Sequence, residues 1–139
     1  MNYLLDTCVV SELVAKRPEH KVMAWIDGIA EARLYLSVIT IGELNKGIEK
    51  LSDSPRRVIL TDWLNDQLLV RFVGRIVAID IGVMLKWGQL TGLLERAGKT
   101  MSAMDSLIAA TALHENFNLV TRNEIDFQYA GVSLTNPWK

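Results

Sequence analysis

At 139 residues, half of them hydrophobic and 22% charged, the chain has the size and composition of one globular domain rather than a disordered or fibrous protein. Its formal net charge of -1 supplies no overall field to gather nucleic acid, so any RNA or DNA contact must rest on a local basic patch or on bound cations. One cysteine, Cys8, excludes an internal disulfide and fits a reducing cytoplasm. No basic stretch leading into an apolar run opens the chain, and no run approaches the roughly 18 apolar residues of a membrane span.

In chain order, short apolar runs alternate with longer helical periods. Residues 2–5 read as a strand and 9–16 as a short helix closed by Arg17-Pro18. A helix over about 19–30 places Val22, Trp25, Ile26 and Ile29 on one face, and a brief strand follows at 34–36. Ile41, Leu44, Ile48 and Leu51 recur at spacings of 3, 4 and 3, the stripe of an amphipathic helix over about 38–51. After the turn Ser52-Asp53-Ser54-Pro55, a helix of about 56–70 carries Ile59 and Trp63. Residues 75–79 read as a strand, with Asp80 placed to cap a helix from 81 to about 97. Ser102 opens a helix reaching about His114, and 118–120 and 131–134 read as the last strands. Strands separated by helices predict a single α/β domain over 1–139, with helices on both faces of a mostly parallel sheet.

Ligands of such sheets gather beyond the carboxyl ends of the strands. Asp6 closes the first strand and Thr121 to Asp126 follow a late one, which brings them to the same rim. Each acidic residue has an ordinary explanation alone. Asp6 suits a helix N-cap, and Glu43 suits a surface pair with Lys46. Asp105 suits the first turn of a helix opened by Ser102, while Asn123 and Asp126 suit a polar turn. Together they form a constellation drawn from four elements. Carboxylates gathered without partners raise one another's pKa, a cost that a bound divalent cation removes. Oxygen-only ligation favours Mg²⁺ or Mn²⁺ over zinc. His20 and His114 lie on different predicted helices and read as structural or surface groups.

Four stretches then resemble a known family. LLDTCVVSEL, SVITIGELNKG, SAMDSLIAATAL and LVTRNEIDF…GVSLTNPW together resemble PIN-domain proteins, most closely toxins of the VapC and FitB type, over essentially the whole chain. The resemblance implies a three-layer α/β/α domain and Mg²⁺- or Mn²⁺-dependent cleavage of RNA. It implies Asp6, Glu43 and Asp105 as the acidic site, with a fourth place supplied by Asn123 or Asp126. Asp6 and Asp105 are then the direct ligands, and Glu43 is either a ligand or the group that orients the attacking water. Thr7 and Thr121 are candidates to orient these carboxylates, and Lys46, Lys50 and Arg122 to contact phosphate. It further implies homodimers and a complex with an antitoxin that carries a DNA-binding domain.

Two positions depart from the family pattern: Cys8 stands where relatives commonly carry Asn, and Asn123 where some carry Asp. The expected function is the endoribonuclease toxin of a type II toxin–antitoxin pair. The alternative is a weakly active or inactive PIN module that binds an antitoxin and supports operator repression. A phosphoacceptor receiver domain is rejected because its adjacent acidic pair is missing after the first strand. Cys8 as a nucleophile is rejected because no histidine is placed to activate it. Among the tryptophans, Trp25 reads as core and Trp63 as an interface residue.

Overall fold

Leu4 and Leu5 are almost completely buried, and in opposite directions. Leu4 packs with Ile39, Ile108, Phe117 and Leu119, whereas Leu5 packs with Val9, Val22, Leu36 and Phe72. A strand covered on both faces needs an unbroken apolar run, and such a strand belongs at the centre of a parallel sheet. The computed structural model describes residues 1–139 and shows that arrangement. β1 (Tyr3–Leu5), β2 (Leu34–Ser37), β3 (Ile76–Val77), β4 (Asn118–Val120) and β5 (Leu134–Thr135) form one sheet in the order β3-β2-β1-β4-β5. Every neighbouring pair is parallel, with Leu4 opposite Tyr35 on one side and Leu119 on the other.

The helices make the two outer layers. On the Leu5 side lie α1 (Thr7–Glu12), α2 (His20–Asp27) and the long element that begins as α4 (Pro55–Asp62). On the Leu4 side lie α6 (Ile81–Arg96) and α7 (Ala103–Glu115), packed against each other. α3 (Val38–Glu49) serves both cores, giving Ile39 to one and Ile48 to the other. Three layers and a parallel sheet match the predicted architecture. No helix is long and apolar enough to cross a membrane.

Several local expectations need correction. α1 begins at Thr7 rather than at residue 9, because Asp6 caps it by accepting the Thr7 amide. The final strand starts at Leu134, not at 131: Gly131 takes a φ of +71° and turns the chain first. The stripe on α3 is rotated, with Leu51 exposed and Ile39 and Thr40 buried, since the start of the helix tucks under the sheet rim. The helix expected over 56–70 is continuous but not uniform. α4 passes through a π-helical segment, Trp63–Leu68, into a last turn, α5 (Leu69–Arg71). There the Asn65 side-chain amide donates to the Thr61 carbonyl at 3.0 Å, serving a backbone group at the switch. Trp63, Leu64 and Leu68 in that segment are all buried, so Trp63 is a core residue and not a free interface group. Ile59, by contrast, is exposed. Trp25 packs edge-on against Tyr3 with ring centroids 5.1 Å apart, as a core residue should.

Candidate active site

Asp6 ends β1 while still tied to the sheet, its amide donating to the Val120 carbonyl at 2.9 Å. This places a carboxylate at the C-terminal rim with only 6% of its surface exposed. Oδ1 accepts the Thr7 amide at 2.8 Å, and Oδ2 accepts the Thr121 hydroxyl at 2.8 Å. Capping and site-building are therefore done by the same side chain. Thr121, the residue after β4, is fully buried, and its hydroxyl oxygen accepts the Asn123 amide at 3.0 Å. A chain of donors thus runs from the 123 backbone through Thr121 to Asp6.

The Thr7 hydroxyl donates to Glu43 Oε1 at 2.6 Å and lies 3.2 Å from the hydroxyl of Thr40. Thr40 and Glu43 are three residues apart on α3, so one helix face meets the start of α1. Asp105 arrives from the first turn of α7, where the Ser102 hydroxyl accepts its amide at 3.2 Å. Asp126 sits on a 3-10 turn, Glu124–Phe127, whose start is held by the Asp126 amide donating to the Asn123 carbonyl at 3.1 Å.

The electrostatics show that these groups share one field. Burial pushes the Asp6 carboxyl above its ordinary value, the Thr121 and Thr7 hydrogen bonds oppose it, and the charges of Asp105 and Glu43 push it further up. Burial also raises Asp105, against Ser102, and the charges of Asp126 and Glu43 add to it. None of the six ion pairs in the molecule involves Asp6, Glu43, Asp105 or Asp126. A buried carboxylate with two fixed donors, no cation and acidic neighbours is the donor set a hard divalent cation requires, and the residues present fit Mg²⁺ or Mn²⁺. Of the two residues expected in this turn, Asp126 carries a charge that acts on Asp105, and Asn123 is uncharged.

Cys8 places its sulfur 3.8 Å from Asp6 Oδ2 and 3.7 Å from the Thr121 hydroxyl. Burial pushes its thiol up, so it stays protonated and acts as a weak donor beside Asp6. Of the basic candidates, Lys46 and Lys50 line a cleft that also contains Glu43. Arg122 instead stacks over the Trp138 ring, 5.3 Å from its centroid. A second exposed group, Asp80, His114 and Glu115, has ligand atoms within 4.8 Å of one another. It lies at the far end of α7 from Asp105, about 13 Å along the helix axis, and is no part of the rim. The spacing of Thr40 from Glu43 places the two on one side of the helix, and the structure adds the contact of its hydroxyl with Thr7. One residue beside the site, Arg56, escaped sequence reading. Arg56 donates to the Val14 carbonyl at 3.1 Å, a contact of α4 with the end of α1 that no local pattern announces.

The PIN domain family model matches residues 3–131. The chain belongs to the PIN-domain family. This PIN-domain protein is 35% identical to the VapC ribonuclease Y4jK of Sinorhizobium fredii, over 98% of this chain and 97% of that protein. It is 36% identical to toxin FitB of Neisseria gonorrhoeae, over 97% of each. A solved structure of FitAB bound to an IR36 DNA fragment superposes with a TM-score of 0.92 at 34% identity, covering 99% of this chain and 96% of that one. A solved toxin–antitoxin complex from Klebsiella pneumoniae shares the fold, with a TM-score of 0.72 at 22% identity over 99% of each chain.

Proposed function

We propose that this PIN-domain protein is a Mg²⁺- or Mn²⁺-dependent endoribonuclease, the toxin of a type II toxin–antitoxin pair. The observation that carries this reading is Asp6: buried, fixed by Thr7 and Thr121, unpaired by any cation, and in the field of Glu43 and Asp105. Relatives named as a VapC ribonuclease and as a toxin support the same reading.

Asp6, Glu43 and Asp105 would hold the cation, with Asp126 or Asn123 filling the fourth place. When bound, the cation supplies an acidified water and neutralises charge developing on the phosphate. The protein's part is positioning. The Thr121 and Thr7 hydroxyls set the directions of the Asp6 and Glu43 lone pairs before substrate arrives, so little reorganisation is needed during reaction. Cys8 contributes a weaker third donor to Asp6. Lys46 and Lys50, which line the cleft beside Glu43, hold flanking phosphates. The whole chain acts as one cytoplasmic domain, as a homodimer, bound by an antitoxin whose DNA-binding domain reaches operator DNA; the FitAB–DNA complex supports the last part.

The test is cleavage of a mixed RNA by purified, antitoxin-free protein with Mg²⁺ or Mn²⁺ and with chelator, beside Asp6→Ala and Asp105→Ala. Cation-dependent cleavage that falls to background in both variants is expected. Folded wild-type protein that cuts nothing with either ion overturns it. The role would then pass to the inactive binding module, which the uncharged Asn123 and the unusual Cys8 favour.

A further inference from the structure

Two concave spaces meet at α3 beside Glu43, the one member of the carboxylate cluster that lines them. The larger, of about 570 Å³, lies between α3 and the start of α7, walled by Val38, Met104 and Leu107. The smaller, of about 300 Å³, lies between α1, α3 and the α4 element, beside Thr7, Leu60 and Trp63. Glu43 and Gly47 belong to both. Gly47 is therefore the saddle between them, and Glu43 stands at its catalytic edge.

An interior glycine weakens a helix relative to alanine, yet α3 carries Gly42 and Gly47 within 12 residues. A Cβ at either would meet nothing within 4 Å. A side chain at Gly47 would meet no atom of the chain and would stand in the space where the two clefts join. The charges on the two walls indicate what that is. Lys46 and Lys50 line the larger cleft and Arg56 the smaller, none of them in an ion pair, and Glu43 is the one carboxylate lining either. Basic residues beside apolar walls in both clefts match a strand whose phosphates face the cations and whose bases face hydrocarbon.

We infer that the RNA strand crosses α3 at Gly47, with the nucleotide on one side of the scissile phosphate in the larger cleft and the nucleotide on the other side in the smaller one. Lys46 and Lys50 take phosphates on the first side and Arg56 on the second. This rests on the ribonuclease reading and adds a path and a minimal substrate: at least one nucleotide beyond the cut on each side. The apolar walls require those two bases to be unpaired from any complement.

The test uses the full chain and a fluorescent RNA hexanucleotide that the wild type cuts. Gly47→Leu fills the saddle without a clash in the chain itself and is expected to raise KM tenfold or more. The change in kcat should stay within about threefold, with Mn²⁺ affinity retained and the melting temperature no lower than wild type. Binding of a 2′-O-methyl hexanucleotide, followed by anisotropy in the Asp6→Asn background, should weaken in parallel. Lys46→Gln with Lys50→Gln should flatten the log–log salt dependence of that binding by about 0.7 for each lysine. An unchanged KM for Gly47→Leu, with the wild type active, overturns the path and leaves the ribonuclease reading intact. If instead Gly47→Leu binds RNA normally and loses only an antitoxin peptide, the saddle belongs to a protein partner and the inference fails. A wild type that neither cuts nor binds RNA removes both readings together.

Discussion

Asp6 is a charged group in a place that favours the neutral one, and its neighbours decide how that conflict is resolved. Burial and the acids around it raise its carboxyl above the ordinary value of 3.8. A raised acid contributes no penalty below its unfolded value, and its full penalty appears once the pH exceeds the folded value. Asp6→Asn should therefore raise the melting temperature of the cation-free protein at pH 7, and the gain should shrink towards zero as the pH falls below about 4. Mn²⁺ should raise the melting temperature of the wild type but not of the variant. Equal stability of the two at pH 7 without cation would contradict the strain assigned to Asp6. Thr121→Val removes a buried donor while keeping the shape, so cation affinity or activity should drop about 10- to 100-fold, measured by calorimetry and by RNA cleavage. At this scale much was legible: a carboxylate at a strand end, and another in the first turn of a helix rich in small residues, announce themselves by residue type. Arg56 did not, because its position depends on α4 meeting the end of α1, a contact 42 residues apart in the chain.

The elements show where periodicity misleads. The 3-4-3 stripe of α3 located the helix but set its buried face one position off, since Ile39 packs in the core shared with α6 and α7 and Thr40 meets Thr7 of α1. The π segment changed the fate of Trp63, whose side chain fills the core between α4 and the sheet. Trp63→Ala should then cost about 3–5 kcal/mol of stability, read by denaturant unfolding; a loss under 1 kcal/mol would return Trp63 to the surface. At the edge strand β3, Glu31 joins Arg71 at 2.8 Å and Arg75 at 2.8 Å. The Arg71 hydrogen bonds, with Arg75 adding, hold the Glu31 carboxyl below its ordinary value despite some burial. A depressed acid contributes stability above its unfolded value and loses it as the pH falls through the folded one. Glu31→Gln should thus lower stability at pH 7 by about 1 kcal/mol or less, given its exposure, and be indistinguishable from wild type in strong acid. Chevron or melting data at two pH values check the sign. Strand order β3-β2-β1-β4-β5 was beyond sequence reading, because pairing is fixed by crossovers and not by the strands themselves.

For the whole molecule, the net charge of -1 conceals a division of labour. Acids from β1, α3, α7 and the turn after β4 converge at one rim, while unpaired Lys46, Lys50 and Arg56 line the clefts beside it. Only the parallel topology achieves this, since it points every strand's C-terminal end the same way. The exposed apolar residues Ile79, Ile81, Met84 and Leu85 form another surface at the start of α6. If Asp6, Glu43 and Asp105 form one cation site, as proposed, Mn²⁺ binding at neutral pH reports it most directly. Titration of the antitoxin-free protein, followed by electron paramagnetic resonance and calorimetry, should show saturable binding in the wild type and its loss in both Asp6→Asn and Asp105→Asn, with folding intact. Wild-type binding that survives both substitutions would place the ion elsewhere and contradict the account.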